Sequence, residues 1–487
     1  MVNEIKNQNV PSMKATFQYV TFCASILVFF FILTSCKNDN PAGGNIQKID
    51  EYLSAQASLN NFNGNVLIAE NGSIIFQKSF GFADFKTQRQ LNDSSVFELA
   101  SLSKQITATA ILLLQDQGKL KLTDSLRAYF PELPYSGINL YQMLTHTSGL
   151  PDYEPLMIEK WDHSKIAFNR DMIAVMAKEK PAVLFKPGTK WKYSNSAYAL
   201  LATIVEKVSG KAFQDFLKEN IFQPLNMTHT RIYNTRRSLK DTIPNYAYGY
   251  LYDPSTKKHT LPDSIAELNI VYFLDGIVGD GTVNSTTGDL LKWDRAIKNH
   301  TLLKEATQQE MLKSHILADT INNRYYGFGV MRDESEFGSL IAHSGGWPGY
   351  ATYLARNVEK DQTFIVLSNI DVAPSASLMT AAHHILNGST IELPYAHKAT
   401  TLDSTKLEQY IGKYKGKFAF SIERAGDKLV RADGNGKIFE LTPESDLKFF
   451  YSDGADRQIE FELDTTKKVS KAWFINYGLR TSFDRID

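Results

Sequence analysis

A chain of 487 residues has room for two or three domains. Its 53 lysines and arginines balance 53 aspartates and glutamates, which removes the electrostatic case for nucleic acid or an acidic polymer as partner. An apolar content of 43% indicates a globular protein with a large core.

Lys6 and Lys14 precede an uncharged apolar run from Ala15 to Ser35 that stops at Cys36. A basic start, an apolar stretch and small residues before a cysteine resemble a bacterial lipoprotein signal peptide, with Cys36 as the lipidated residue and Met13 a more typical start than Met1. An uncleaved transmembrane anchor is the other reading, since about 20 apolar residues span a bilayer. Either way the bulk of the chain is expected outside the cytoplasm, held to the membrane at its N-terminus. The only cysteines are Cys23 and Cys36, so the exported body is expected to rest on its core without disulfides. Residues 37–45 read as a tether.

Ile46, Ile49, Leu53 and Ala57 recur at helical spacing. Two apolar runs around Asn71-Gly72 predict a β-hairpin. Phe97 to Leu114 follows, with Ser101 one turn before Lys104 and a nearly all-apolar segment behind them. Residues three apart share a helix face, so a hydroxyl and an amine can meet at the mouth of a buried helix. That is the S-x-x-K arrangement of acyl-serine enzymes. Ser101 could instead be only an N-cap, but a cation in the first turn opposes the helix dipole, which argues against a purely stabilising role for Lys104. The same spacing at Ser255–Lys258 and Ser445–Lys448 has no apolar helix behind it.

Further along, Leu140 to Leu144 predicts a short helix leading into Thr145-His-Thr-Ser-Gly-Leu150. His146 in that turn reads as structural rather than as part of a Ser–His–Asp triad. Tyr193-Ser-Asn195 precedes a helix with Ala197, Leu200, Leu201, Ile204, Val205 and Val208 inward, and Asn195 could serve as its cap. Segments 326–330, 340–343, 351–354 and 363–368 predict strands of one antiparallel sheet, and a last helix covers about 375–386. Past Leu393, apolar residues alternate with polar ones between glycine turns, predicting a separate antiparallel β-sandwich or barrel over 400–487.

The set Ser101-x-x-Lys104, Tyr193-Ser-Asn195 and His343-Ser-Gly-Gly346, in that order, with the Thr145–Leu150 turn, resembles the class C β-lactamase and D-alanyl-D-alanine carboxypeptidase superfamily of penicillin-recognising serine hydrolases. The likeness spans about residues 46–392. It implies an α/β (α+β) fold, an antiparallel sheet flanked by helices plus a helical subdomain, with the site between them. It also implies Ser101 as nucleophile, Lys104 and Tyr193 as the groups that activate it, and Asn195, His343, Gly345 and Gly346 as substrate contacts, with the Ser101 and Gly346 N–H groups facing the oxyanion. His343 lies where many relatives carry lysine. A histidine there is only partly charged near neutral pH, which points to a D-amino-acid carboxypeptidase, peptidase or esterase, with turnover depending on the His343 charge. A β-lactamase or a non-catalytic envelope binding protein are the alternatives.

The expected partner is a small peptide, ester or β-lactam. No cofactor is called for, and no metal-ligand spacing such as H-E-x-x-H occurs. The stretch from Ala342 to Gly346 is one residue from the G-x-S-x-G elbow of α/β-hydrolases, but the Trp347-Pro348-Gly349 that follows forbids the helix that elbow needs. The C-terminal segment resembles the small lipocalin-like module found on some members of the superfamily.

Overall fold

The computed structural model describes residues 41–232, 243–253, 255–320, 322–434 and 436–487. The signal peptide and Cys36 lie outside them. Helix α1 (Pro41–Ser58) begins inside the segment expected to be a tether.

The hairpin is β1 (Gly64–Glu70) and β2 (Ser73–Phe80). Asn71 and Gly72 both adopt positive φ, at 51° and 79°, which matches the turn to the right-handed twist of the strands. Helix α2 (Lys104–Asp116) follows, then α3 (Asn195–Ser209) and α4 (Thr287–Lys298). Six more strands complete the main sheet: β3 (Ile316–Asp319), β4 (Arg324–Tyr326), β5 (Met331–Ser335), β6 (Gly338–Trp347), β7 (Tyr350–Asn357) and β8 (Gln362–Ser368). Helix α5 (Ser375–Leu386) ends this part.

All neighbours in the sheet are antiparallel, in the order β3-β4-β5-β6-β7-β8-β1-β2. Successive side chains of a strand face opposite sides, and β1 shows the result. Leu67 and Ala69 join the large core with α2 and α3, whereas Val66 and Ile68 join a second core with α1 and α5. The sheet thus lies between a two-helix layer and a larger helical subdomain. The strand expected over 326–330 ends at Tyr326, because Gly329 turns the chain at φ 72° toward β5. A Cβ on Gly329 would lie 2.6 Å from the Lys104 carbonyl oxygen, so only glycine lets this turn close on α2.

Residues 412–485 form a closed eight-stranded antiparallel barrel. Closure leaves no unpaired edge. Its loops dock on α1. Tyr52 donates to the Tyr477 carbonyl at 3.1 Å, and Gln56 donates to the buried Asp456 carboxylate at 2.8 Å. The barrel therefore stands behind the sheet, against the layer farthest from α2.

Candidate active site

The chain from Phe97 to Lys104 is fixed from two sides. Phe97 and Glu98 pair with Ser285 and Asn284, and the Leu99 carbonyl accepts from Thr352 Oγ1 at 2.8 Å. Ala100 then takes φ 49°, a left-handed conformation that costs a non-glycine residue on the order of 1 kcal/mol or more. This turn starts a single 3-10 segment, Ala100–Ser103, which runs into α2. Ser101 is therefore not the cap of α2. That position falls to Ser103, and Ser101 presents its hydroxyl to the cleft.

Lys104 is fully buried. An ammonium has three N–H donors, and Nζ meets three acceptors: Ser101 Oγ at 3.0 Å, Asn195 Oδ1 at 2.9 Å and the Asp280 carbonyl at 2.7 Å. The carboxylates of Glu154 and Asp280 provide countercharge without touching the amine. Asn195 Nδ2 donates to Glu154 Oε1 at 3.0 Å, and Tyr153 donates to Asp280 Oδ2 at 2.8 Å. Asn195 is free to bridge Lys104 and Glu154 because Ser194, not Asn195, caps α3 by accepting from the Ala197 N–H. Tyr193 lies against this group, with Nζ 4.8 Å from its ring centroid. Its hydroxyl is buried and has no hydrogen-bond partner among the described residues. The Ser101 hydroxyl and the Lys104 amine meet as their spacing predicts, and the Tyr193 ring, placed here by the resemblance, stands beside them.

On the opposite wall, Gly345 and Gly346 of β6 do different work. A Cβ on Gly345 would fall 2.1 Å from the Leu99 carbonyl oxygen, so the strand can approach the serine turn only as glycine. Gly346 meets no such obstacle and lines the cleft with Ser101, Asn195 and Trp347. The cleft holds about 530 Å³, open to solvent.

The structure corrects the expected charge at His343. Its ring is buried, and burial, with the nearby Lys104 charge, pushes its pKa down to about 3. It is neutral at physiological pH and is not among the residues lining the cleft. It ends instead a chain of hydrogen bonds whose direction the backbone fixes. The Ser194 N–H donates to His146 Nδ1 at 3.1 Å, so His146 carries its proton on Nε2 and donates to Tyr326 at 3.1 Å. Tyr326 donates to His343 Nε2 at 3.2 Å, and His343 Nδ1 donates to the Ser344 carbonyl at 2.6 Å. Burial and the Lys104 charge also hold His146 well below the usual histidine range. The relay ties the Tyr193-Ser-Asn195 turn to β6 through two neutral imidazoles and a phenol.

Several site residues carry no sequence signature. Glu154 and Tyr153 directly follow the Thr145–Leu150 turn, and Asp280 sits in a glycine-studded stretch, so proximity to a motif was their only signal. Burial, then the neighbouring Asp152 and Asp280, raise the Glu154 pKa to about 7 against the pull of Lys104. No group of histidine, cysteine, aspartate and glutamate able to hold a metal occurs among the described residues.

A helical subdomain on an antiparallel sheet, with a serine and a buried lysine at the seam, defines the class as a serine hydrolase. A family model described as "Beta-lactamase" matches residues 55–387, and the chain belongs to that family. It is 39% identical over 412 residues to "Penicillin-binding protein 4*" of Bacillus subtilis (strain 168), covering 82% of this chain and 90% of the relative. The structure is similar to a penicillin binding protein from Bacillus halodurans, with a TM-score of 0.61 at 25% identity over 69% of this chain and 98% of the other. It shares its fold with the D-amino acid amidase of Ochrobactrum anthropi SV3, with a TM-score of 0.57 at 24% identity over 67% of this chain and 92% of the other.

Proposed function

We propose that the protein is an amidase or peptidase that acts on D-amino-acid amides or short peptides with a free amino group, through an acyl-enzyme on Ser101. The observation that carries the substrate class is the charge of the cleft. Among the described residues Glu98, Glu154, Asp275 and Asp280 line it, and no lysine, arginine or histidine does. A β-lactam or a C-terminal D-alanine brings a carboxylate, which the ionised Glu154 would repel. An ammonium is matched by these groups, and the Glu154 carboxylate beside Asn195 is well placed to receive it.

In this reading Ser101 Oγ attacks the substrate carbonyl while its proton passes to Tyr193, which stands against the Lys104 ammonium. The Ser101 and Gly346 N–H groups receive the oxyanion. The amine leaves with the proton from Tyr193, and water then releases the acid by the reverse sequence. His343 and Gly345 act at one remove, by holding the strand that carries Gly346. The name of the amidase from Ochrobactrum anthropi SV3 agrees with this substrate class.

The test is a substrate panel on the purified protein: D-amino-acid p-nitroanilides, their N-acetylated forms, benzylpenicillin and short esters, with Ser101→Ala as control. N-acetylation should lower kcat/KM at least about tenfold, in keeping with the loss of a charge-assisted contact. Equal turnover of free and acetylated amines, or preference for penicillin, would overturn the substrate class. The same reading takes the protein as exported and lipid-anchored at Cys36, supported by the basic, apolar and small-residue order before it. Cys36→Ala should then move the protein from the membrane fraction to the soluble one.

A further inference from the structure

A second pocket lies where the barrel docks on α1. It is open to solvent, holds about 700 Å³ and is lined from both sides. Asn60, Tyr252 and Val372 come from the hydrolase part, and Asp453, Asp456 and Tyr477 from the barrel. Asp456 is only 7% exposed. Its carboxylate accepts from Gln56 Nε2 at 2.8 Å, and Gln458 is the other side chain that bonds to it. Both donors are neutral amides. The Gln56 amide is already committed, since Nε2 also donates to the Tyr52 hydroxyl at 3.2 Å and Oε1 accepts from Asn61 at 2.9 Å.

The charges around Asp456 are matched elsewhere. Asp453 pairs with Arg457, Glu392 with Lys448 and Arg480, and His397 with Glu444. Among the described residues no lysine or arginine lines the pocket. Burial therefore holds the Asp456 carboxyl above the usual carboxylate range, against the pull of Gln56 and His397. A buried carboxylate that meets only neutral donors is costly to keep ionised, and an arriving cation would offset that cost. The rest of the pocket suits an apolar body. Val372 is 43% exposed with Pro374 beside it, and Tyr252 and Tyr477 bring aromatic rings, whose faces attract cations.

We propose that this pocket binds an organic ammonium carried on a short apolar or aromatic body. The ammonium meets Asp456 in a charge-assisted hydrogen bond, and the body lies against Val372 and the two tyrosines. Small-molecule pockets run from about 300 to 1,000 Å³ and are mostly apolar with a few placed polar groups, as this one is. Such a ligand touches both halves of the protein, so its binding also tightens the docking of the barrel.

The test is calorimetry and thermal melting of the exported chain with phenethylammonium and with phenethyl alcohol, its uncharged counterpart. Both are run in a Glu154→Gln background, which removes the carboxylate expected to hold an ammonium in the cleft. The ammonium is expected to bind at one site per chain, at least tenfold more tightly than the alcohol, and to raise Tm. Asp456→Asn, which keeps an acceptor for Gln56, should melt as its parent does without ligand and lose at least tenfold in affinity for the ammonium. If that variant fails to fold, Tyr252→Leu, at a partly exposed position, should weaken the ammonium about threefold and the alcohol less. An ammonium that binds no better than the alcohol, or variants that bind it like the parent, would overturn the site.

Discussion

The protein buries two cations in opposite ways. Lys104 is surrounded by three acceptors with carboxylates one bond further out, so its charge is solvated by the fold. Arg431 is surrounded by four aromatic faces, and its Nε has no hydrogen-bond partner among the described residues. Burial alone therefore says little about what a charge is for. A cation whose acceptors are all internal is fixed against its neighbours, here the Ser101 hydroxyl. A cation set among aromatic faces is held by their π-systems instead.

The contrast can be broken most directly at the seam. Ser101→Ala should reduce turnover on the order of 10⁴-fold or more, because loss of a nucleophile removes the covalent route. Circular dichroism and melting should stay those of the parent. Lys104→Met should cost on the order of 10²- to 10⁴-fold in kcat through lost proton management. It should also lower stability by about 1–3 kcal/mol, because Asn195 Oδ1 and the Asp280 carbonyl lose their donor. Arg431→Met should cost less than this, since the Arg431 Nε breaks no hydrogen bond and a buried charge held by aromatic faces is removed. Parallel denaturant titrations compare the two. A destabilisation shared by both variants would erase the distinction between these cations.

Glu154 sharpens the comparison through pH. Its folded pKa, about 7, lies above the ordinary carboxylate value of 4.5. The native state therefore binds more protons between those values, and the stability Glu154 contributes is full below pH 4.5 and lost as pH rises through 7. Glu154→Gln should flatten that decline, by at most about 3 kcal/mol across the window. For amine substrates, kcat/KM of the parent should rise as Glu154 ionises near pH 7, and this limb should vanish in the variant. His343 should contribute no limb between pH 5 and 8, because its ring is neutral throughout.

The smallest effect is expected in the relay. Tyr326→Phe leaves His146 Nε2 and His343 Nε2 without their shared partner, a loss of roughly 2 kcal/mol. A fall in kcat with KM nearly constant would locate its influence in the position of the Gly346 wall rather than in binding.

Much of this arrangement was legible in the chain. The Ser101–Lys104 spacing, the apolar helix behind it, the Asn71-Gly72 turn and the alternation at 459–463 each follow from a local period or a backbone requirement. What escaped depends on distance in space. Glu154 and Asp280 carry no pattern of their own and matter because the fold brings them beside Lys104. His343 reads as a titratable strand-end residue until its burial is known. Asn195 reads as a cap until Ser194 takes that task. Arg431 occupies an inward position between lumen residues, yet an arginine in an alternating strand reads as solvent-facing by default. Polar residues in buried positions defeat periodicity, and this protein places its chemistry there.

The docking of the barrel on α1 has a consequence for how the two halves change over time. No described barrel residue borders the cleft, and the intervening sheet separates the lumen from the serine. Substitutions in the barrel interior are thus shielded from the cleft, so a lineage is free to repack the back of the molecule while keeping its turnover at the front.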